Sequence, residues 1–461
     1  MIPSDSQSPQ TPLPAGPGAP AGALRRNVML ALLRGSQFVF LFLSGVVVAR
    51  GLGPELRAEY ALTFALGSGT WVLIHLSLPE AAGRLLARRE ASLGELAPIL
   101  YAASLVLGVI GLAAVLAVGF LTRGSLLQNA SSGAIVFGAM IVPLMLVQQM
   151  GVGLLTRLGA LTVYGWVSAG TGLLQLVLVG VLAATVTLTP ENALAAAVVA
   201  LSVRAIAMSL AVGHHAGVRG LIPGGSPQLM KRMLKIGFVL HPAYVALALT
   251  LRIDLFLVSL FSDARAVGLY SLATSLAEIL FLASWTMTES ALKRQTEADE
   301  VAAATYTLWV ARQVLAITLI CAVVVGAMAY PMVYVVYGRE WLASVPPLLI
   351  LTVGAIAIAV EGPIRIMMIR MVAPSIIARA AGVGLAANIL LNVAMIPRLG
   401  VNGAALASVM SYWLYLWLLL RSFGEATGLS ARPIFGRPRE GDVIVRILHA
   451  VALRTRRGRT L

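Results

Sequence analysis

Apolar runs of about 20 residues recur along nearly the whole chain, separated by short breaks that carry charge, glycine or proline. Each run is long enough to cross roughly 30 Å of hydrocarbon as a helix rising about 1.5 Å per residue. Marking the runs predicts twelve helices, over 28–49, 59–80, 97–121, 132–155, 162–187, 193–213, 236–261, 267–290, 304–329, 345–368, 374–396 and 401–422. The fold class that follows is an all-α polytopic membrane protein.

Composition agrees: the 461 residues are 59% hydrophobic and 11% charged, with mean hydropathy +0.90, which leaves no polar shell for a soluble domain. In a soluble chain the net charge of +15 would point to nucleic acid. Here the charge sorts by loop. With the N-terminus inside, 26 of the 34 lysines and arginines fall in or near cytoplasmic loops and tails. Six fall on the other side, at Arg50, Arg57, Arg123, Arg265, Arg339 and Arg398. This is the positive-inside asymmetry, so no nucleic acid is expected and both termini are placed in the cytoplasm. Cys321 is the single cysteine, which excludes an intrachain disulfide, and the five histidines lack metal-ligand spacing.

Residues 1–24, rich in Pro, Gly, Ala and Ser, read as a disordered cytoplasmic tail rather than a signal peptide. The break at 214–235 reads as a cytoplasmic linker between two six-helix bundles, 25–213 and 236–424. Residues 425–461 form a basic tail whose stretch GDVIVRILHAVALRTRRGRT has the pattern of an amphipathic helix on an anionic membrane surface. A shift of 210 residues sets Tyr60 on Tyr270, Leu62 on Leu272, Leu66 on Leu276 and Arg84 on Arg294, a parallel repeat.

Charges inside the spans are the candidate chemistry, because each costs at least about 2.5–3.5 kcal/mol near the bilayer centre. Arg252 and Asp254 stand two apart in TLRIDLFLV and therefore point to different sides of a helix. Counting from the turn near 262–266, Arg252 and Glu278 differ in depth by only about 3 Å, which predicts an ion pair. That pair either locks two helices together or lines a wet cavity. Arg34 and Arg365 lie nearer the cytoplasmic surface, where snorkelling competes with ligand binding, and Glu361 can pair with Arg365 at i, i+4. Arg204, Gln148, Asn388 and Asn392 are structural polar positions, with His75 and His241 as further intrusions. Asp254, Glu278 and Glu361 are the candidates for coupling to H⁺ or Na⁺, and no cofactor is expected.

Four stretches carry a family pattern: VVVARGLGPELRAEYALTFA, IDLFLVSLFSDARAVGLYSLATSL, YGREWLASVPPLLIL and NILLNVAMIPRLGVNGAALASVMSYW. In these the chain resembles the polysaccharide exporters that flip lipid-linked O-antigen and related repeat units. Their superfamily also holds the MATE drug exporters and the lipid II flippases, and the resemblance covers about residues 25 to 425. It implies a carrier in the bacterial inner membrane, with two six-helix bundles in a V around a central cavity. It further implies alternating access and an oligosaccharide on polyprenyl pyrophosphate as cargo, with membrane lipids and other glycan-assembly proteins as partners. Cavity arginines attract pyrophosphate in such flippases, and Arg34, Arg252 and Arg365 are the positions that fit. The twelve spans depart from the fourteen typical of lipid II flippases. A MATE-type drug antiporter is the alternative, although its cationic substrates favour acidic cavity residues. A membrane-embedded glycan polymerase or transferase would need acidic or metal motifs in a sizeable loop, so an enzyme is not expected.

Overall fold

The computed structural model describes residues 21–436, except 158–159, 282–283, 285–286, 289–290, 292–294 and 296–298. The N-terminal tail before residue 21, the amphipathic stretch after 436 and Arg294 of the repeat lie outside the described residues. The described chain is helical with no strand, and nine of its helices are long and apolar enough to cross a membrane. The protein is a polytopic all-α membrane protein.

These nine account for eleven of the twelve predicted spans, because two of them contain two passes. The twelfth, 267–290, begins in the helix Ala264–Ala277 and runs into residues partly outside the described ones. Helix α1 (Ala21–Ile74) bends at Gly53, whose φ of 68° suits glycine, followed by Pro54. Arg57 reaches back to the Gly45 carbonyl, 12 residues earlier. A straight helix would hold those residues about 18 Å apart, so the two arms form a hairpin. The last long helix repeats the device at Gly400 (φ 57°), within Pro374–Thr427. Two of the family-like stretches, VVVARGLGPELRAEY and MIPRLGVNGAAL, are therefore hairpin turns.

The first half continues through α2 (Leu78–Ala87), α3 (Leu93–Leu121), α4 (Ser132–Arg157), α5 (Leu161–Thr185) and α6 (Pro190–Ala216). Leu76 and Ser77, both at positive φ, break the pass that runs from α1 into α2. The second half holds α7 (Pro227–Thr250), α8 (Ile253–Phe261), α9 (Ala264–Ala277), α10 (Glu300–Met332), α11 (Val345–Met371) and α12 (Pro374–Thr427), then the short α13 (Arg432–Phe435). The predicted helix 236–261 is not continuous: Leu251 and Arg252 interrupt it between α7 and α8. The 210-residue offset carries the Gly53 kink onto Asp263, the N-cap of α9, where the second half makes its own first hairpin.

The two halves meet at two seams. At the end that holds few basic residues, one apolar core crosses the boundary and joins Ala58 and Leu62 to Leu255, Tyr270 and Trp341. There α9 packs so tightly on the α1 kink that a Cβ on Gly268 would overlap the Pro54 carbonyl oxygen. At the basic-rich end, a Cβ on Gly237 of α7 would overlap the Leu76 carbonyl oxygen at the break before α2. Without a hydrophobic drive between helices in lipid, such small-residue contacts and buried polar bonds are what hold packed helices together.

Candidate functional site

Arg252 caps the start of α8 with non-helical backbone (φ −133°, ψ −22°), and Glu278 stands where α9 tightens into a 3₁₀ turn over Glu278–Leu280. The two charges thus occupy facing interruptions in a helical hairpin. Nη1 of Arg252 lies 2.7 Å from Oε1 of Glu278, and Nη2 donates to Oε2 at 3.2 Å. This two-pronged geometry is the strong form of an arginine–carboxylate contact. The depth argument from sequence therefore gave the correct partner. The pair is not sealed: 47% of the Arg252 side chain and 32% of Glu278 stay accessible.

Asp254 turns the other way and is buried. It accepts hydrogen bonds from the Tyr270 hydroxyl at 2.6 Å, the Ser408 hydroxyl at 3.0 Å and the Leu255 amide at 2.8 Å. Deeper in α12, Asn388 donates to Ser411 at 2.9 Å and Asn392 donates to the Asn388 side-chain oxygen at 3.0 Å. The Asp254 contacts tie α8, α9 and α12 together, and three donors give the carboxylate the compensation that burial demands. Arg252 and Asp254 of TLRIDLFLV thus do two jobs on two sides of the chain.

Glu361 and Arg365 form the expected i, i+4 pair, with Nε to Oε2 at 3.1 Å, and the Tyr415 hydroxyl adds a bond to Glu361 at 3.4 Å. The Arg365 guanidinium also lies 5.9 Å from the ring centre of Tyr244 on α7. In the first half, Arg34 and Arg204 both address one ring, Tyr164, at 5.8 and 5.9 Å. Arg204 further donates to Ser168 at 3.0 Å, which supplies the partner its sequence context did not reveal. Gln148 is buried, and its side-chain oxygen has no partner among the described residues. Arg34, Arg252 and Arg365 therefore touch different neighbours: Tyr164, Glu278, and Glu361 with Tyr244.

Sequence reasoning did not reveal how the halves are bridged, although it marked His75 and His241 as polar positions within spans. Arg57 was expected in a loop on the basic-poor side, but it is only 6% exposed. Its Nε donates to Ser271 of α9 at 3.1 Å, and its guanidinium lies 5.7 Å from the Trp341 ring centre. The Gly–Leu–Gly–Pro run just before it was the available signal, because a tight turn folds the next residues back onto the bundle. At the same end Gln128 donates to the Ser259 and Ser262 carbonyls at 2.7 and 3.1 Å. At the other seam His241 of α7 stacks edge-on against His75 with ring centres 5.0 Å apart, and bonds through Nε2 to the Leu73 carbonyl at 2.8 Å. His75 and His241 are separated by 166 positions of unrelated sequence, so no local pattern links them. Arg232 and Glu90 close the same side with an ion pair nearer the surface. Among the described residues no cluster of three or more His, Cys, Asp or Glu side chains could hold a metal ion.

No family model and no curated protein sequence matches this chain. Solved structures do. The lipid II flippase MurJ in an inward closed conformation aligns with TM-score 0.68 at 14% identity, covering 92% of this chain and 96% of that one. A multidrug resistance MATE family transporter of the MOP superfamily, in its inward-facing conformation, aligns with TM-score 0.65 at 13% identity, covering 87% of this chain and 98% of that one. The outward-facing conformation of such a transporter gives 0.59 at 14% identity, with 88% and 95% covered. At these identities the likeness establishes the fold, which this chain shares with both kinds of protein over nearly their whole lengths.

Proposed function

We propose that the protein is a flippase that moves a polyprenyl-pyrophosphate-linked oligosaccharide across the bacterial inner membrane by alternating access. The observation that carries this reading is Arg252, a guanidinium at mid-span depth, set at a helix break and left 47% accessible by its ion pair with Glu278. A cation at that depth is expensive against lipid tails, so its accessible face belongs to a wet space where an anion enters. Phosphate oxygens match the guanidinium fork, and low dielectric strengthens the contact. A pyrophosphate that takes Arg252 strips Glu278 of its counter-ion, and the freed carboxylate then binds H⁺ or Na⁺. Ligand and ion are coupled by that one exchange. Asp254 and Glu361 are already satisfied by three donors and by Arg365 with Tyr415, so Glu278 is the favoured coupling group.

The test is the sidedness of lipid-linked oligosaccharide in cells lacking the protein, read with a lectin or glycosidase confined to the outer leaflet. Oligosaccharide that accumulates out of reach until the gene is restored supports the reading. Unchanged accessibility with reduced efflux of an added cationic compound replaces it with a MATE-type antiporter. Changing Arg252 and Glu278 together to leucine separates ligand binding from helix locking, because an apolar pair of similar volume preserves packing. Transport is expected to fall by about a hundredfold or more while the protein still reaches the membrane, the loss of a charge-assisted phosphate contact. Intact transport in the double variant would reduce the pair to a structural lock.

A further inference from the structure

A groove of about 520 Å³ runs along the surface of the second half, lined by Val239 and Pro242 of α7 and by Ala373, Pro374, Ser375, Ala378 and Arg379 at the start of α12. It stays open because its facing positions carry proline, alanine and serine, none long enough to bridge the gap. Exposed Phe238, Val239 and Val383 continue the apolar surface around it. Val383 lies one turn beyond Arg379, on the same face of α12.

Depth places the groove just inside the apolar layer at the basic-rich end. Pro242 lies six residues into the apolar run that begins at Ile236, about 9 Å, and Arg379 lies five residues past Pro374, about 8 Å. Arg379 is exposed, and no hydrogen bond, ion pair or ring contact engages it among the described residues. Its treatment differs from that of the other arginines within the spans. Arg252 and Arg365 have carboxylates, Arg57 has Ser271 and Trp341, and Arg204 has Ser168 and Tyr164.

An exposed guanidinium without a partner among the described residues, beside an apolar groove just inside the apolar layer, is complementary to one ligand class. We propose that the groove binds a single anionic bilayer phospholipid, its phosphate forked by Arg379 and an acyl chain laid between Pro242 and Ala378. The source is the surrounding bilayer, because the exposed rim of Phe238 and Val383 opens the groove sideways. On α7 the groove-lining residues Val239 and Pro242 alternate with Leu240, Ala243 and Tyr244, which line a smaller cavity shared with Arg365. A seated lipid therefore braces the wall that carries the Arg365–Tyr244 contact. The inference is independent of the transported cargo.

Native mass spectrometry of the purified full-length protein tests it, with phosphatidylglycerol, phosphatidylcholine of the same chains, and undecaprenyl phosphate offered separately. The expected result is one retained phosphatidylglycerol per chain, preferred about tenfold over phosphatidylcholine, the scale of one charge-assisted contact. Both Arg379→Gln, which removes the fork, and Ala378→Phe, which fills the groove, should abolish the preference. Equal retention of the two phospholipids by the unmodified protein overturns the proposal whatever the variants do. Preference for undecaprenyl phosphate alone overturns the assigned occupant, and glycerol phosphate competing as well as the intact lipid overturns the role of the groove.

Discussion

The two seams between the halves are built on one plan and filled with different chemistry. Each presses a glycine of the second half, Gly268 or Gly237, onto a carbonyl at a break in the first hairpin of the first half. The basic-poor seam then buries a fixed cation, Arg57, which has no carboxylate partner among the described residues and rests on one serine, one carbonyl and one indole. The basic-rich seam buries two imidazoles, each bonded to a backbone carbonyl, His241 to Leu73 and His75 to Val72. A buried guanidinium regains hydration when its seam opens, whereas an opened imidazole seam loses the already satisfied His241–Leu73 bond, the one of the two that crosses it. The closed state at the Arg57 end is therefore the more delicately balanced of the two. In the alternating-access cycle proposed above, that imbalance would set how easily each side opens.

The largest effects are expected where backbone meets backbone, since neither partner can yield. Gly268→Leu should hold the Arg57 seam open and Gly237→Leu the histidine seam. Overpacking costs about 1–3 kcal/mol, which shifts the closed population by about 5- to 150-fold. Cysteine placed at Val267, buried at the first seam, or at Met233, buried at the second, reports opening through its rate of reaction with an impermeant maleimide. Each glycine variant should speed labelling at its own seam and slow it at the other. Acceleration at both would mean that the halves loosen together and that the seams do not alternate.

Next in size is Arg57→Met, which keeps volume and removes the buried charge. Removing a desolvated charge that no carboxylate compensates lowers the cost of the closed seam, so labelling of Val267→Cys should slow by about tenfold and the proposed transport should fall because the seam no longer opens. Faster labelling would show instead that the bonds to Ser271 and Gly45 outweigh the cost of burial, and would reverse the comparison between seams.

How much of this was legible in the sequence follows from where the determinants lie. The passes were legible because hydrocarbon thickness fixes their length, and the Arg252–Glu278 pair was legible because both residues belong to one hairpin, whose depth is counted from one turn. The partners of Asp254 were not, since Ser408 lies 154 positions away and serine carries no signature in an apolar span. Arg57 was misplaced for a different reason: a charge beside a Gly–Pro turn reads as a loop residue until the turn is known to fold it inward. The break at Leu251 and Arg252 contains neither glycine nor proline, so it had no marker at all.

The smallest expected effect, and the one that sharpens the contrast most, is at His241. Its bond to the Leu73 carbonyl requires a proton on Nε2, which leaves Nδ1 to face the Ser77 hydroxyl at 3.4 Å. His241→Phe keeps the ring against His75 but leaves the Leu73 carbonyl without that donor. An unsatisfied buried acceptor costs about 1–3 kcal/mol, partly offset here because water reaches the carbonyl once the seam opens. Labelling of Met233→Cys should therefore accelerate by about fivefold, with labelling at Val267→Cys correspondingly slower. His241→Gln, which restores a donor at similar reach, should return both rates toward those of the parent. Rescue by glutamine would locate the closing force of this seam in one hydrogen bond to backbone. Failure of rescue, with the phenylalanine variant behaving as the parent, would locate it in the ring stack and the Gly237 contact, and the two seams would then differ only in the charge that Arg57 buries.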